Sequence, residues 1–212
     1  MFIGVYNLSV LLTYLGVCFS VFGMYLAITD NIPAAIMCLI MAGVCDMFDG
    51  YVARKCKRTD DEKKFGIQID SLADTVSFGV FPIILGLSMK FTNVLCIIIY
   101  ILYGLAAVIR LAYFNVLAEE KVHIFNFGKK NKKVTYYYGL PVTTIAIILP
   151  FVYNFNIFFN ENLFKTIYPV SMLLTAVLFV LNFKLKKPTG IWYAFCTILA
   201  IVEIVIVATV LN

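Results

Sequence analysis

The chain is predicted to be all-α, a polytopic membrane bundle of about seven transmembrane helices, and three observations predict it. Of 212 residues, 62% are hydrophobic and 14% charged, whereas soluble domains carry about 25% charged residues. Mean hydropathy is +0.94. Apolar runs of roughly the 20 residues that a spanning helix needs recur along the whole length. Basic residues collect in every second connection between those runs. The class excluded is a soluble domain carrying one anchor, and no nucleic-acid partner is expected.

The first expected span, 8–28, has no basic segment before it and no small-residue cleavage site, so it reads as a retained helix, not a signal peptide. The second, 33–55, and the third, 66–88, are separated by the charged linker Lys55–Phe65. The fourth, 91–117, is apolar except for Arg110. A loop over 118–138 follows, holding His123 and closing on Tyr136, Tyr137 and Tyr138, which are expected to anchor at the membrane interface. The fifth and sixth spans are 139–158 and 166–183. The last, 190–211, is apolar except for Glu203, a subunit contact or a partner for another polar group. No repeat of about 20–50 residues is visible, and no inverted pair of broken helices. The chain therefore reads as a single domain over 1–212.

Orientation follows from the lysines and arginines. Arg54, Lys55, Lys57, Arg58, Lys63 and Lys64 lie in the first linker. Lys121, Lys129, Lys130, Lys132 and Lys133 follow the fourth span, and Lys184, Lys186 and Lys187 the sixth. The alternate connections hold only Lys90 and Lys165. Fourteen against two places the linker, the 118–138 loop and the N-terminus in the cytoplasm, and seven spans put the C-terminus outside. The lysines of the 118–138 loop also suit anionic headgroups. Cys18, Cys38, Cys45, Cys56, Cys96 and Cys196 show no zinc-ligand spacing and read as small buried hydrophobes. His123, the one histidine, reads as a solvated loop residue.

Four carboxylates break this apolar pattern. Asp46 and Asp49 fall late in the second span, and Asp70 and Asp74 early in the third. An unpaired carboxylate mid-membrane costs about 3 kcal/mol, so four demand compensation, for which divalent metal is the natural partner. At about 100° per residue, Asp49, Gly50, Ala53 and Arg54 fall near −60°, +40°, −20° and +80° from Asp46, on one stripe. From Gly66, Asp70 and Asp74 fall near +40° and +80°, with Ser77 near +20°. Two stripes can thus face each other across an antiparallel helix pair. Gly50, Ala53 and Gly66 leave room for close approach to the backbone.

The pattern Asp-x2-Asp-Gly-x2-Ala-Arg over 46–54, then Gly-x3-Asp-x3-Asp over 66–74, resembles the signature of the CDP-alcohol phosphotransferases, with all eight fixed positions present. Eleven residues separate Arg54 from Gly66, a few more than is usual there. The run Asp70-Ser71-Leu72-Ala73-Asp74 with Ser77-Phe78-Gly79-Val80 and Pro82 is similar to the phosphatidylserine synthase branch. So are Arg110-Leu111-Ala112, Phe114-Asn115 and Gly139-Leu140-Pro141, although Tyr113 stands where that branch often has a basic residue.

The resemblance implies a six-helix catalytic core, a homodimer, and transfer of a phosphatidyl group from CDP-diacylglycerol to an alcohol with release of CMP. L-serine is the acceptor it favours; glycerol phosphate or inositol phosphate is the alternative. It implies two divalent cations, Mg²⁺ or Mn²⁺, one on Asp46, Asp49 and Asp70 and the other on Asp46, Asp70 and Asp74. Asp74 would be the general base, and Asp49, Gly50, Ala53, Arg54 and Gly66 would bind the CDP-lipid. Arg110 and Ser77 are candidates for a clamp on serine or phosphate. The enzyme would be an integral membrane protein with its site facing the cytoplasm. A divalent-cation transporter is the competing class; the lack of inverted repeats counts against it.

Overall fold

The computed structural model describes residues 4–56, 58–126, 136–154, 161–186, 197–203 and 205–206. Its first unit is a helical hairpin. Asn7 caps α1 (Leu8–Ile28) by accepting from the Val10 N–H at 3.1 Å. The chain turns through Asp30, in the left-handed region at φ 63°, into α2 (Ile32–Lys55), capped by Asn31 with a proline in the first turn. Seven residues of α1 are buried: Ser9, Val10, Thr13, Gly16, Ser20, Gly23 and Ala27. Apart from Val10 they form a narrow stripe of small side chains, while Leu11, Leu15, Phe22 and Tyr25 face outward. A soluble helix would reverse this, but lipid imposes no penalty on exposed leucine, and small residues let helices approach closely.

The next helix starts earlier than the sequence suggested. Thr59 and Glu62 form a reciprocal capping box that launches α3 (Asp60–Asp74), so most of the charged segment expected to link the spans is already helical. Asp60, Asp61 and Glu62 in the first turn complement the helix dipole. After Asp74 the helix widens into a π segment over Thr75–Val80, then tightens as α4 (Phe81–Ser88). Proline explains part of this. Pro82 has no N–H for the carbonyl of Phe78, four residues back; Tyr103 Oη donates to that carbonyl instead, at 2.5 Å. Tyr168 Oη does the same for the carbonyl of Pro82, at 2.7 Å. Uniform helical phasing therefore fails beyond Asp74.

α5 (Val94–Asn126) is 33 residues long. Its extension to Asn126 makes the backbone at His123 helical, a correction to the expected loop; that side chain and residues 127–135, with Lys129, Lys130, Lys132 and Lys133, lie outside the described part. Tyr136–Tyr138 form a strand, β1, paired antiparallel with β2 (Lys184–Lys186), so the bundle carries one short ribbon. The interfacial role expected of the three tyrosines concerns side chains outside the described part. Gly139, at φ 68°, closes the ribbon, and its N–H donates to the Phe183 carbonyl at 2.7 Å.

A 3₁₀ turn (Val142–Thr144) leads into α6 (Ile145–Asn154), and α7 (Glu161–Val180) returns. Among the described residues five helices are long and apolar enough to cross a membrane: Leu8–Ile28, Ile32–Ala53, Asp60–Ser88, Val94–Ala118 and Leu163–Val180. The protein is thus an integral membrane bundle. The fifth expected span appears as the shorter Val142–Asn154, and of the seventh only 197–203 and 205–206 are described, with Cys196 outside. Glu203 is 4% exposed and accepts a hydrogen bond from Asn154 Nδ2, tying the last helical stretch to α6. The core centres on Phe78, Phe81, Leu85, Tyr103, Leu149, Tyr168 and Met172, where α4, α5, α6 and α7 meet.

Candidate functional site

α1, α2 and α3 meet on a polar gap of about 10 Å³, the scale of one ion or water. Thr13 and Gly16 come from α1, Ala42, Asp46 and Asp49 from α2, and Ala73, Asp74, Ser77 and Phe78 from α3 and the π segment. α1 packs against both α2 and α3, and the carboxylates of those two helices converge across the gap beside it. One carboxylate oxygen each from Asp46, Asp49 and Asp70 lies within 4.8 Å of the other two. Asp74 joins them by a hydrogen bond shared between its carboxyl and that of Asp46. Asp49 is 5% exposed; the other three are half-buried.

Among the described residues, no lysine or arginine pairs with these four groups. The ion pair found is Lys63–Asp60 at 2.8 Å, a surface contact at the start of α3 worth little in water. Four clustered carboxylates without a protein cation suit hard divalent ions, which take oxygen ligands. The donor set therefore fits such a metal.

The remaining candidates are distributed around this gap. Gly50, one residue past Asp49, is exposed, and a Cβ built there would meet nothing within 4 Å. Ala53 lies one turn further along, half-buried. Arg54 is in α2, but its side chain lies outside the described part. Opposite, a Cβ at Gly66 would stand 3.3 Å from Arg58 Nη1. The two motif glycines thus differ: one borders open space, the other a guanidinium. Ser77 is buried and accepts from Ser20 Oγ at 2.7 Å.

Arg110 stands apart from the gap. Its Nε donates to the Leu140 carbonyl at 3.0 Å and Nη2 to the Gly139 carbonyl at 3.3 Å, and its guanidinium lies 3.5 Å from the Phe114 ring centroid. These contacts brace the Gly139–Pro141 turn, and Arg110 does not line the carboxylate gap.

Sequence reasoning missed Thr13. Its Oγ1 donates to Asp49 Oδ2 at 2.6 Å and also reaches the Ser9 carbonyl at 3.2 Å. The signal was available: Ser9, Thr13, Gly16 and Ser20 share one stripe of an otherwise greasy helix. Arg58 was also missed, having counted only as linker charge. Ser71 and Asn115 form a further cross-helix link at 2.5 Å, and Asn115 Nδ2 donates to Gln68 Oε1 at 3.3 Å, fastening α3 to α5 beside the acidic face.

Comparison with known proteins agrees with this geometry. The family model described as CDP-alcohol phosphatidyltransferase matches residues 6–168. The chain is 36% identical over 116 residues to the CDP-diacylglycerol–serine O-phosphatidyltransferase of Saccharomyces cerevisiae, covering 54% of this chain and 40% of that protein. It is 34% identical over 128 residues to the archaetidylserine synthase of Methanothermobacter thermautotrophicus, covering 58% and 48%. A Mycobacterium bovis CDP-diacylglycerol–serine O-phosphatidyltransferase is 27% identical over 187 residues, covering 85% and 62%. The matched region thus spans 40%, 48% and 62% of the length of these relatives.

Proposed function

The chain belongs to the CDP-alcohol phosphatidyltransferase family, and from that premise we propose that it makes phosphatidylserine: it transfers the phosphatidyl group of CDP-diacylglycerol to the hydroxyl of L-serine and releases CMP. The observation that carries the reading is the acidic gap, three carboxylates within 4.8 Å and a fourth bonded to them, without a protein cation among the described residues. The relatives' names supply the acceptor. The whole chain acts as one catalytic domain, as a homodimer, with the gap facing the cytoplasm.

Asp46, Asp49 and Asp70 would hold one divalent ion, and Asp46, Asp70 and Asp74 would hold a second, Mg²⁺ or Mn²⁺. Such ions neutralise the phosphate charge and stabilise the entering and leaving oxygens. The chain's own residues do the rest. Open space at Gly50 and the small side chain of Ala53 admit the cytidine diphosphate, while Arg54, and Arg58 beside Gly66, supply charge for its phosphates. The serine hydroxyl oxygen attacks the phosphorus that carries diacylglycerol, the bond from that phosphorus to CMP breaks, and the hydroxyl proton passes to Asp74. Ser77 lines the gap and would orient serine. Arg110 acts on the acceptor side only through the turn that it braces.

The test is an acceptor panel. Purified protein receives CDP-diacylglycerol, Mg²⁺ or Mn²⁺, and serine, glycerol phosphate or inositol phosphate, and CMP release is measured. Serine-dependent release is expected, and Asp74→Asn should lower it by about 10²–10⁴-fold while the circular dichroism spectrum is kept. Release with another acceptor but not serine would reject the serine assignment, and undiminished turnover in the variant would reject Asp74 as base.

A further inference from the structure

A second cavity, of about 230 Å³, lies on the outer face of the bundle between α5 and the end of α7 and shares no residue with the acidic gap. Ile109, Arg110 and Tyr113 line one side, and Val180, Leu181 and Asn182 the other. Ile109, Tyr113, Val180 and Leu181 are each about half exposed, so the mouth opens sideways to lipid. Arg110, at the base, is 6% exposed. Its contacts are two carbonyl dipoles and an aromatic face, and among the described residues no carboxylate neutralises it. A buried guanidinium so placed retains an uncompensated charge, and Nη1, which makes neither of those carbonyl contacts, can meet a phosphate oxygen.

The depth is right for a headgroup. Counting about 1.5 Å per residue from Val94, a hydrocarbon layer of about 30 Å ends near Tyr113. The spanning part of α7 ends at Val180, on the opposite wall. Just beyond, the backbone of Tyr136–Tyr138 pairs with that of Lys184–Lys186. Apolar walls open to lipid and a buried cation at the boundary describe the surroundings of an anionic lipid headgroup.

We propose that this cavity binds the phosphodiester of an anionic phospholipid, separately from the lipid substrate in the acidic gap, with an acyl chain lying along Ile109 and Val180. The test uses full-length protein in mild detergent, equilibrated with phosphatidylglycerol or phosphatidylcholine and weighed by native mass spectrometry. Retention of phosphatidylglycerol is expected to exceed that of phosphatidylcholine by about tenfold, and to survive excess inorganic phosphate. Ile109→Trp, which fills the cavity but leaves Arg110 and both carbonyl contacts, should remove that preference, as should Arg110→Gln. Equal retention of the two lipids, an unchanged preference in Ile109→Trp, displacement by inorganic phosphate, or burial of Ile109 against a second copy in cross-linking would each overturn it.

Discussion

Thr13 shows how one hydroxyl can set the geometry of a candidate metal ligand. Asp49 is the least exposed of the four aspartates, and the hydrogen bond from Thr13 fixes its Oδ2. Partners of this kind usually contribute about 10–100-fold in metal affinity. Thr13→Val keeps the shape and deletes the donor, so Mn²⁺ binding measured by electron paramagnetic resonance should weaken within that range, while Thr13→Ser should stay near the parent. Unchanged binding in the valine protein would mean that Asp49 needs no orientation from α1. The four aspartates were legible in the sequence because charge in an apolar run is conspicuous and helical period is a local property. Thr13 was not, since a threonine in a membrane helix satisfies its own backbone at no cost, as its contact with the Ser9 carbonyl shows.

At the scale of elements, the π segment between α3 and α4 carries the most consequence. It begins directly after Asp74, so its register decides where Ser77 and Phe78 enter the gap. The Phe81 N–H reaches back five residues to Val76, and the Phe78 carbonyl, deprived of a donor by Pro82, depends on Tyr103. Tyr103→Phe removes that donor from a site with no water to replace it, at a cost of about 1–3 kcal/mol. The midpoint of thermal unfolding in detergent should fall, whereas Tyr25→Phe, on the lipid face of α1, should leave it unchanged. Equal midpoints for both would show that the widened turn stands without Tyr103. Sequence reasoning treated 66–88 as one regular helix because nothing local announces a π turn; the proline is visible, but the tyrosine that accommodates it lies on another helix. The ribbon was hidden for the same reason, 45 residues lying between its two strands, Tyr136–Tyr138 and Lys184–Lys186.

For the whole molecule, the decisive quantity is the depth of the acidic gap. Asp46 lies 14 residues after Ile32, and Asp74 14 residues before Ser88, which puts both about 21 Å from the far end of their helices. Asp70, four residues earlier, stands about 27 Å away. Against a hydrocarbon layer of about 30 Å, the gap sits some 3–9 Å inside one boundary. That boundary is the one where α2 ends and α3 begins, flanked by Arg54, Lys55, Lys57 and Arg58. A phosphorus atom at the headgroup reaches this depth and a water-soluble acceptor can follow it, whereas the middle of the bilayer would be open to neither. The basic bias is the ground on which that side is proposed to be cytoplasmic. In a cysteine-free background, Asp61→Cys, in the first turn of α3, should react with a membrane-impermeant maleimide only after permeabilisation. Thr92→Cys, exposed between α4 and α5, should react in intact cells. The reverse pattern would turn the gap away from the compartment that its charge bias selects, and the cytoplasmic assignment would fall with it.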